Sequence, residues 1–147
     1  MSVYFDNDWP PGSGPYRELI WDAAGKYGVP VMLLAWLLWK ESAFRDDIIS
    51  GRTRSRVGAL GIAQFMPETA REVLGSEELA LVPSEAIAGA ARYLARLHRG
   101  TGNWPDALAA YNWGIGNVQR RGLQYAPRET VDYVNTIVRR SGYTQRV

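Results

Sequence analysis

The apolar residues of this chain are most concentrated in one stretch that ends in a carboxylate. Nine consecutive uncharged residues run from Val31 to Trp39, and Lys40, Glu41 and Ser42 follow directly. A helix that is apolar on every face belongs inside a domain, and this run is about half of the roughly 20 residues that span a bilayer. The pattern therefore predicts a buried central helix, with Glu41 at its C-terminal end and no membrane-spanning segment.

Helical spacing of apolar residues also predicts the surrounding elements. A last helix follows Pro127, with Val131, Val134, Ile137 and Val138 as its core stripe and Tyr133 off the middle of that stripe. Residues 44–57 are polar and basic and predict a loop, and residues 58–65 form the one short strand candidate. The remaining predicted helices cover residues 16–26, a short segment opened by Pro67, residues 85–98 with Ser84 as N-cap, and residues 107–112. The fold class is mainly α, a compact helical domain with at most a minor β element.

The N-terminal segment differs in composition from the rest of the chain. Prolines and glycines crowd residues 10–15, so residues 1–15 are predicted to form a flexible arm and residues 16–147 a single domain. The first residues have neither a basic start nor an apolar core, so no signal peptide is predicted. We expect the protein to be a monomer.

Composition removes several kinds of chemistry. The 147 residues contain no cysteine and one histidine, His98, which argues against a disulfide framework, a thiolate nucleophile or a zinc cluster, so no metal and no cofactor are expected. The formal net charge of +2 is too small to indicate a nucleic-acid partner. A pI near 9.0 allows a mild attraction to polyanions such as bacterial wall polymers.

Glu41 is the candidate for acid catalysis. Burial disfavours the charged form of a carboxylic acid, and the partial negative charge at a helix C-terminus disfavours it further. Both effects raise the pKa, as a general acid that works near neutral pH requires. The alternative is that Glu41 only ends the helix and points to water.

Two further stretches combine glycine with isolated polar side chains. Gln64 is the only polar side chain between Gly61 and Pro67, and a buried amide must find partners, of which a ligand can be one. Tyr111 and Asn112 lie where Gly114 interrupts a helical run.

Four motifs in order carry a family resemblance. They are Glu41-Ser42, then G-x-x-G-x-x-Q ending at Gln64, then A-Y-N-x-G ending at Gly114, then P-x-E-T-x-x-Y-V beginning at Pro127. Together they resemble the soluble lytic transglycosylase family, whose fold is like that of goose-type lysozyme, over about residues 16–140. The resemblance implies a substrate groove that binds peptidoglycan glycan strands. It also implies cleavage of the β-1,4 bond between N-acetylmuramic acid (MurNAc) and N-acetylglucosamine (GlcNAc), which leaves a 1,6-anhydromuramyl end.

The resemblance also implies roles for particular residues. Glu41 becomes the single catalytic residue, acting first as acid and then as base, and Ser42 donates a hydrogen bond to it. The positions that line the groove or orient the acid are Gln64, Met66, Tyr111, Asn112 and Tyr133. Trp113 replaces an alanine that is common in the family, and tryptophan there is not foreign to phage-borne members. A single domain without a predicted signal peptide favours a phage enzyme that acts on the bacterial cell wall in lysis or virion entry, delivered by holin-type release or by the virion, and Trp113 adds to this expectation. A bacterial cell-wall enzyme stays the alternative.

Two other functions stay open at this stage. A hydrolytic lysozyme of the same fold needs a second carboxylate to activate water, and Asp46 and Asp47 lie close to Glu41 in the sequence. A glycan-binding scaffold without catalysis keeps the groove but does not use the acid.

Overall fold

A computed structural model describes residues 8–143 of the chain, and these residues are mostly helical. Short 3-10 turns cover Gly14–Tyr16, Glu78–Leu81 and Leu123–Tyr125. The α-helices are α1 (Arg17–Tyr27), α2 (Val31–Ser42), α3 (Asp46–Ile49), α4 (Pro67–Leu74), α5 (Pro83–Thr101), α6 (Trp104–Trp113), α7 (Ile115–Arg121) and α8 (Arg128–Ser141). Within the described residues, no helix combines the length and the apolar character needed to cross a membrane.

Helix α2 is the centre of the domain, as its sequence predicts. Every residue from Met32 to Leu38 is buried, and α2 packs between α1 and α8. The helix ends at Ala43, whose φ of 52° is left-handed, and Phe44 follows with a φ of 56°. Because this turn stops the helix directly after Glu41 and Ser42, it leaves the carboxylate of Glu41 at the edge of the core.

Helix α5 forms the second layer and packs against both α1 and α6. Gly89 allows α4 to approach α5 closely, because a Cβ at that position would lie 2.1 Å from Cδ2 of Leu74. The predicted N-cap at Ser84 is wrong: the helix begins at Pro83 and Val82 occupies the cap position. The fixed φ of a proline suits the first helical position, so Pro83 starts the helix two residues before the predicted start at residue 85.

The predicted β element is reduced to one bridge. Leu60 and Phe65 exchange both backbone hydrogen bonds, and within residues 8–143 no strand extends from this pair. Gly61 and Gln64 turn the chain between them, with φ values of 76° and 52°. A Cβ on Gly61 would lie 2.0 Å from the carbonyl oxygen of Ala80, so this turn requires glycine for space as well as for conformation. We call residues 60–65 the bridge turn.

The structure corrects the predicted inner face of α8. Val131 is 38% exposed, whereas Tyr133 is 3% exposed and belongs to the core. The buried positions are Thr130, Tyr133, Val134 and Ile137, an i, i+3, i+4, i+7 pattern. Val134 and Ile137 are thus confirmed as core positions, whereas Thr130 and Tyr133 take the place predicted for Val131. The predicted loop over residues 44–57 also contains the short helix α3, which buries Ile49.

Part of the predicted arm lies against the domain. The side chain of Trp9 is buried, and Nε1 of Trp36 donates a hydrogen bond to the carbonyl oxygen of Asp8 at 3.2 Å. Residues 1–7 of the arm and residues 144–147 of the predicted domain lie outside the described residues. The flexibility of the arm and the domain boundary at residue 15 stay predictions.

Candidate active site

The C-terminal end of α2 and the first two turns of α8 line an open cavity of about 560 Å³ beside Glu41. Asn112, the penultimate residue of α6, closes a third side. The cavity is therefore built from three helices that are far apart in the sequence. Its lining residues are Lys40, Glu41, Asn112, Arg128, Glu129, Asp132 and Tyr133.

Glu41 is held by one hydrogen bond from across the cavity. The hydroxyl of Tyr133 donates to Oε2 of Glu41 at 2.7 Å. Burial of the carboxyl raises the pKa of Glu41 to about 7, against the lowering effects of the Tyr133 hydrogen bond and the Lys40 charge, and the negative charge of Glu129 adds to the rise. A carboxylic acid with this pKa is substantially protonated near neutral pH. It can therefore give and recover a proton under the same conditions.

Ser42 does not take the role implied by the family resemblance. Its hydroxyl donates to the carbonyl oxygen of Leu38 at 3.0 Å and accepts from the backbone N–H of Phe44 at 3.2 Å. A hydroxyl carries one proton, so Ser42 cannot donate to Glu41 at the same time. Ser42 instead fixes the left-handed turn that ends α2, and the group that donates to Glu41 is Tyr133.

Gln64 and Met66 lie on the bridge turn and directly after it. Nε2 of Gln64 donates to the carbonyl oxygen of Gly61 at 2.9 Å, so the NH₂ group of this side chain closes the turn. Met66 is 41% exposed and precedes α4. Neither residue is among those that line the cavity beside Glu41. Their role in binding a substrate stays a prediction.

Tyr111 connects the bridge turn to α6. Its hydroxyl donates to the carbonyl oxygen of Ala63 at 2.9 Å, and its ring lies 6.2 Å from that of Phe65 and 5.5 Å from that of Tyr93, measured between centroids. Burial raises the pKa of Tyr111 well above its ordinary value, and the nearby charge of Glu41 raises it further. The phenol of Tyr111 is thus a neutral hydrogen-bonding group close to the acid.

Asn112 is oriented by a residue of α8. Oδ1 of Asn112 accepts a hydrogen bond from the hydroxyl of Thr130 at 2.8 Å, and Thr130 is 2% exposed. Because this bond uses the amide oxygen, the NH₂ group is the part of Asn112 that can donate to a molecule in the cavity.

Comparison with known proteins identifies the family. Residues 18–133 match the transglycosylase SLT domain family. The chain belongs to this family. The membrane-bound lytic murein transglycosylase F 1 of Alkalilimnicola ehrlichii is 36% identical over 115 residues, which make up 71% of this chain and 21% of that protein.

A solved structure of an SLT relative supports the fold. The inactive mutant of lytic transglycosylase Slt from Pseudomonas aeruginosa, in which a glutamate is replaced by glutamine, matches with a TM-score of 0.70 and 28% identity. The match covers 86% of this chain and 23% of that chain. The predicted family and the lysozyme-like fold are confirmed, and the chain spans less than a quarter of the length of either relative.

Several residues of this SLT site give no clear signal in the sequence. Lys40, Arg128 and Asp132 line the cavity, but each is an exposed charged residue of the kind found on any helix surface. Thr130 could have been found as the polar member of the buried face of α8. Within residues 8–143, no group of three or more histidine, cysteine, aspartate or glutamate residues is arranged to hold a metal ion.

Proposed function

We propose that this SLT domain cleaves the β-1,4 bond between MurNAc and GlcNAc in peptidoglycan as a lytic transglycosylase. The observation that carries the proposal is Glu41, a carboxylic acid with a pKa raised to about 7, hydrogen-bonded by Tyr133 at the wall of a cavity large enough for sugar rings. The names of the two relatives, a lytic murein transglycosylase and a lytic transglycosylase, point to the same activity.

In the first step, protonated Glu41 acts as general acid. It gives its proton to the glycosidic oxygen while the bond from that oxygen to C1 of MurNAc breaks. The carbonyl oxygen of the 2-acetamido group of the same sugar bonds to C1 and takes up the positive charge as an oxazolinium ion, as in substrate-assisted glycosidases. The NH₂ group of Asn112 is the neutral donor that orients the acetamido group. The hydroxyl of Tyr111 gives its one proton to the carbonyl oxygen of Ala63, so it supports the site and does not donate to the sugar.

In the second step, Glu41 acts as general base. Its carboxylate takes the proton of the C6 hydroxyl, the C6 oxygen bonds to C1, and the bond from C1 to the acetamido oxygen breaks. The acetamido group is restored, a 1,6-anhydro ring forms, no water is consumed and Glu41 is protonated again. An intramolecular hydroxyl that is already positioned has the advantage of effective molarity over water.

A hydrolytic muramidase is the second candidate, because two more carboxylates line the same cavity. Glu129 and Asp132 both face the space beside Glu41, and the charge of Glu129 acts on Glu41. Either residue could take a proton from water in an inverting or lysozyme-like reaction. Asp47, a candidate base from the sequence, instead has its carboxylate held by Arg45.

The two reactions give products that differ by one water molecule. We would digest purified peptidoglycan in H₂¹⁸O and analyse the fragments by mass spectrometry. Transglycosylation gives anhydromuramyl ends without ¹⁸O, whereas hydrolysis gives reducing ends that carry ¹⁸O. Reducing ends from wild type that disappear in Glu129→Gln or Asp132→Asn would overturn the proposal in favour of the muramidase.

The glycan-binding scaffold is tested by the same digestion with Glu41→Gln. Glutamine preserves the size and neutrality of the protonated acid but cannot give a proton. Fragments from wild type and none from the variant support catalysis by Glu41. Wall binding without fragments from either protein would support the scaffold.

The biological setting stays a prediction. A role in phage lysis or virion entry depends on the resemblance of Trp113 to the residue in phage-borne members. Holin or tail genes beside the coding sequence would support a phage role, and a bacterial cell-wall operon would contradict it.

A further inference from the structure

Two cations lie at the wall of the Glu41 cavity and come from different helices. Lys40 directly precedes the acid on α2, and Arg128 is the first residue of α8. Both side chains line the cavity and both residues are exposed. The two positive charges therefore flank the space into which the reaction proposed above places a sugar.

Within the described residues, neither cation forms an ion pair. Among residues 8–143, the ion pairs within 4 Å join Arg45 to Asp47, Arg71 to Glu77 and Arg96 to Glu72, and none includes Lys40 or Arg128. The other carboxylates in the cavity, Glu129 and Asp132, are thus not within 4 Å of these two cations. Arg140, by contrast, lies over the rings of Trp36 and Trp39.

The position of Lys40 is unfavourable for the acid itself. Its positive charge lowers the pKa of Glu41 and so opposes the effect of burial. A cation at this place does not help to keep the acid protonated. Its presence is better explained by a charge on the molecule that enters the cavity.

The two sugars of peptidoglycan differ in charge. GlcNAc is neutral, whereas MurNAc carries a lactyl group on O3. This group ends in a carboxylate when it is free, and when it is substituted it leads to a stem peptide with its own carboxylates. A cationic side chain binds a carboxylate through charge-assisted hydrogen bonds, which are stronger than those between neutral groups.

We infer that Lys40 and Arg128 together bind a carboxylate of the muramyl side chain and thereby select muramyl strands over uncharged glycans. This inference rests on the proposed function, because it assigns a substrate feature to the same cavity. The carboxylate belongs either to the free lactyl group or to the stem peptide. Asp132 opposes the bound anion, since its own carboxylate lines the cavity.

The test measures binding to a protein that cannot turn over its ligand. We would titrate Glu41→Gln by calorimetry with three ligands of equal sugar number: a muramyl strand with stem peptides, a muramyl strand without peptides, and a chitin oligosaccharide. Adding Lys40→Gln or Arg128→Gln is expected to weaken binding of a muramyl ligand about two- to fivefold each, the range of an exposed ion pair. Binding of the chitin oligosaccharide is expected to stay unchanged.

The pattern of losses identifies the carboxylate. A loss confined to the peptide-bearing strand assigns it to the stem peptide, and a loss confined to the peptide-free strand assigns it to the free lactyl group. Asp132→Asn is expected to act in the opposite sense and strengthen binding of the same ligand. Lys26→Gln and Arg121→Gln are matched controls, because both residues are exposed and lie away from the cavity.

Two outcomes would overturn the inference. One is a loss of affinity for the chitin oligosaccharide that equals the loss for the muramyl strands. The other is that neither Lys40→Gln nor Arg128→Gln changes the affinity for a muramyl strand, or that Glu41→Gln binds none of the three ligands. Wild-type cleavage of peptidoglycan is measured in parallel, so that the two proposals fail separately. Cleavage without charge-dependent binding overturns only the inference, whereas absence of cleavage overturns the proposed function.

Discussion

Glu41 and Asp47 are close in sequence and have opposite surroundings. Burial raises the pKa of Glu41 to about 7. Hydrogen bonding to Thr53, together with the charge and hydrogen bonds of Arg45, holds the pKa of Asp47 below its ordinary value. Nε and Nη2 of Arg45 bind both carboxylate oxygens of Asp47, at 3.2 and 2.9 Å.

The difference shows that the turn between the two residues separates two kinds of carboxylate. Ala43 and Phe44 reverse the chain with left-handed backbone, and Ser42 fixes that reversal. Glu41 consequently stays in the core, while Asp47 is brought to the surface beside a cation. A proton donor requires the buried environment of Glu41, and a permanent anion that binds arginine requires the surface environment of Asp47.

The largest effect on the rate is expected when Glu41 is replaced by a side chain that cannot give a proton. Glu41→Gln is expected to lower kcat for release of muropeptides by at least a hundred- to ten-thousand-fold, because general acid catalysis is worth about that much. The measurement is muropeptide release from purified peptidoglycan, with thermal melting to show that the variant is folded. A variant that keeps more than a tenth of the wild-type rate would contradict the role of Glu41.

The second prediction concerns stability, because a buried acid opposes folding once it is ionised. The folded protein keeps the Glu41 proton up to about pH 7, whereas the unfolded chain releases it near the ordinary value of 4.5. The folded state thus binds more protons in this window, and the free energy of unfolding falls as the pH rises through it. At pH 8 the loss due to Glu41 is at most about 3 kcal/mol, since one pKa unit corresponds to ~1.4 kcal/mol.

Denaturant unfolding at pH 5 and pH 8 measures this effect. Glu41→Gln has no proton to lose, so its stability is expected to fall less between these two pH values than that of the wild type. The two proteins should therefore differ more at pH 8 than at pH 5, with the variant the more stable. An equal pH dependence in both proteins would mean that Glu41 ionises freely in the folded state.

The features that depend on neighbouring residues, the burial of α2 and the position of Glu41 at its end, could be predicted from the sequence. An uninterrupted apolar run that ends at Glu41 determines both the burial of α2 and the direction of the pKa shift, and the structure confirms both. Gly28 and Gly75 end α1 and α4 with positive φ, as glycine after an apolar periodic segment predicts. These features depend on residues that are neighbours in the chain.

The non-local part could not be predicted from periodicity. Tyr133 is separated from Glu41 by 92 positions, and the three valines and one isoleucine of α8 suggested a stripe that leaves the tyrosine to one side. Only the packing of α8 on α2 turns Tyr133 inward and Val131 outward. The same packing makes Lys40 and Arg128 walls of one cavity, although neither differs in sequence from an ordinary surface cation.

The third prediction concerns the hydrogen bond from Tyr133 to Glu41. Tyr133→Phe removes a hydrogen bond that favours the carboxylate, so the pKa of Glu41 is expected to rise further. The alkaline limb of kcat/KM, where the free enzyme loses the acidic proton, should then move to higher pH. We expect the maximal rate to fall about tenfold, because a lost hydrogen bond to a charged group costs about 1.5–3 kcal/mol and part of this acts in the base step.

Tyr125→Phe is the control for this variant. Tyr125 is 68% exposed, and the cavity lining does not include it. Its loss should leave both the rate and the pH profile unchanged. A normal pH profile in Tyr133→Phe, with only a lower melting temperature, would reduce Tyr133 to a core residue.

The smallest effect is expected at Asp47, and it tests whether Asp47 itself activates water. Asp47→Asn removes an exposed anion that already binds Arg45, so muropeptide release should stay within about twofold of wild type, as surface substitutions usually leave the site undisturbed. If Asp47 activated water in a hydrolytic reaction, the same change would lower the rate by at least about a hundredfold.

The pH dependence of Asp47 also has the opposite sign from that of Glu41. Because the pKa of Asp47 is lowered in the folded protein, its favourable contribution is present above the unfolded pKa near 3.8 and is lost as the pH falls. Asp47→Asn should therefore be less stable than wild type at neutral pH, with the difference shrinking in acid. Acid removes the advantage of Asp47, and the disadvantage of Glu41 grows once the pH passes the value at which the unfolded chain releases its proton. The combined contribution of these two residues to stability should therefore be largest between the two unfolded pKa values, 3.8 and 4.5.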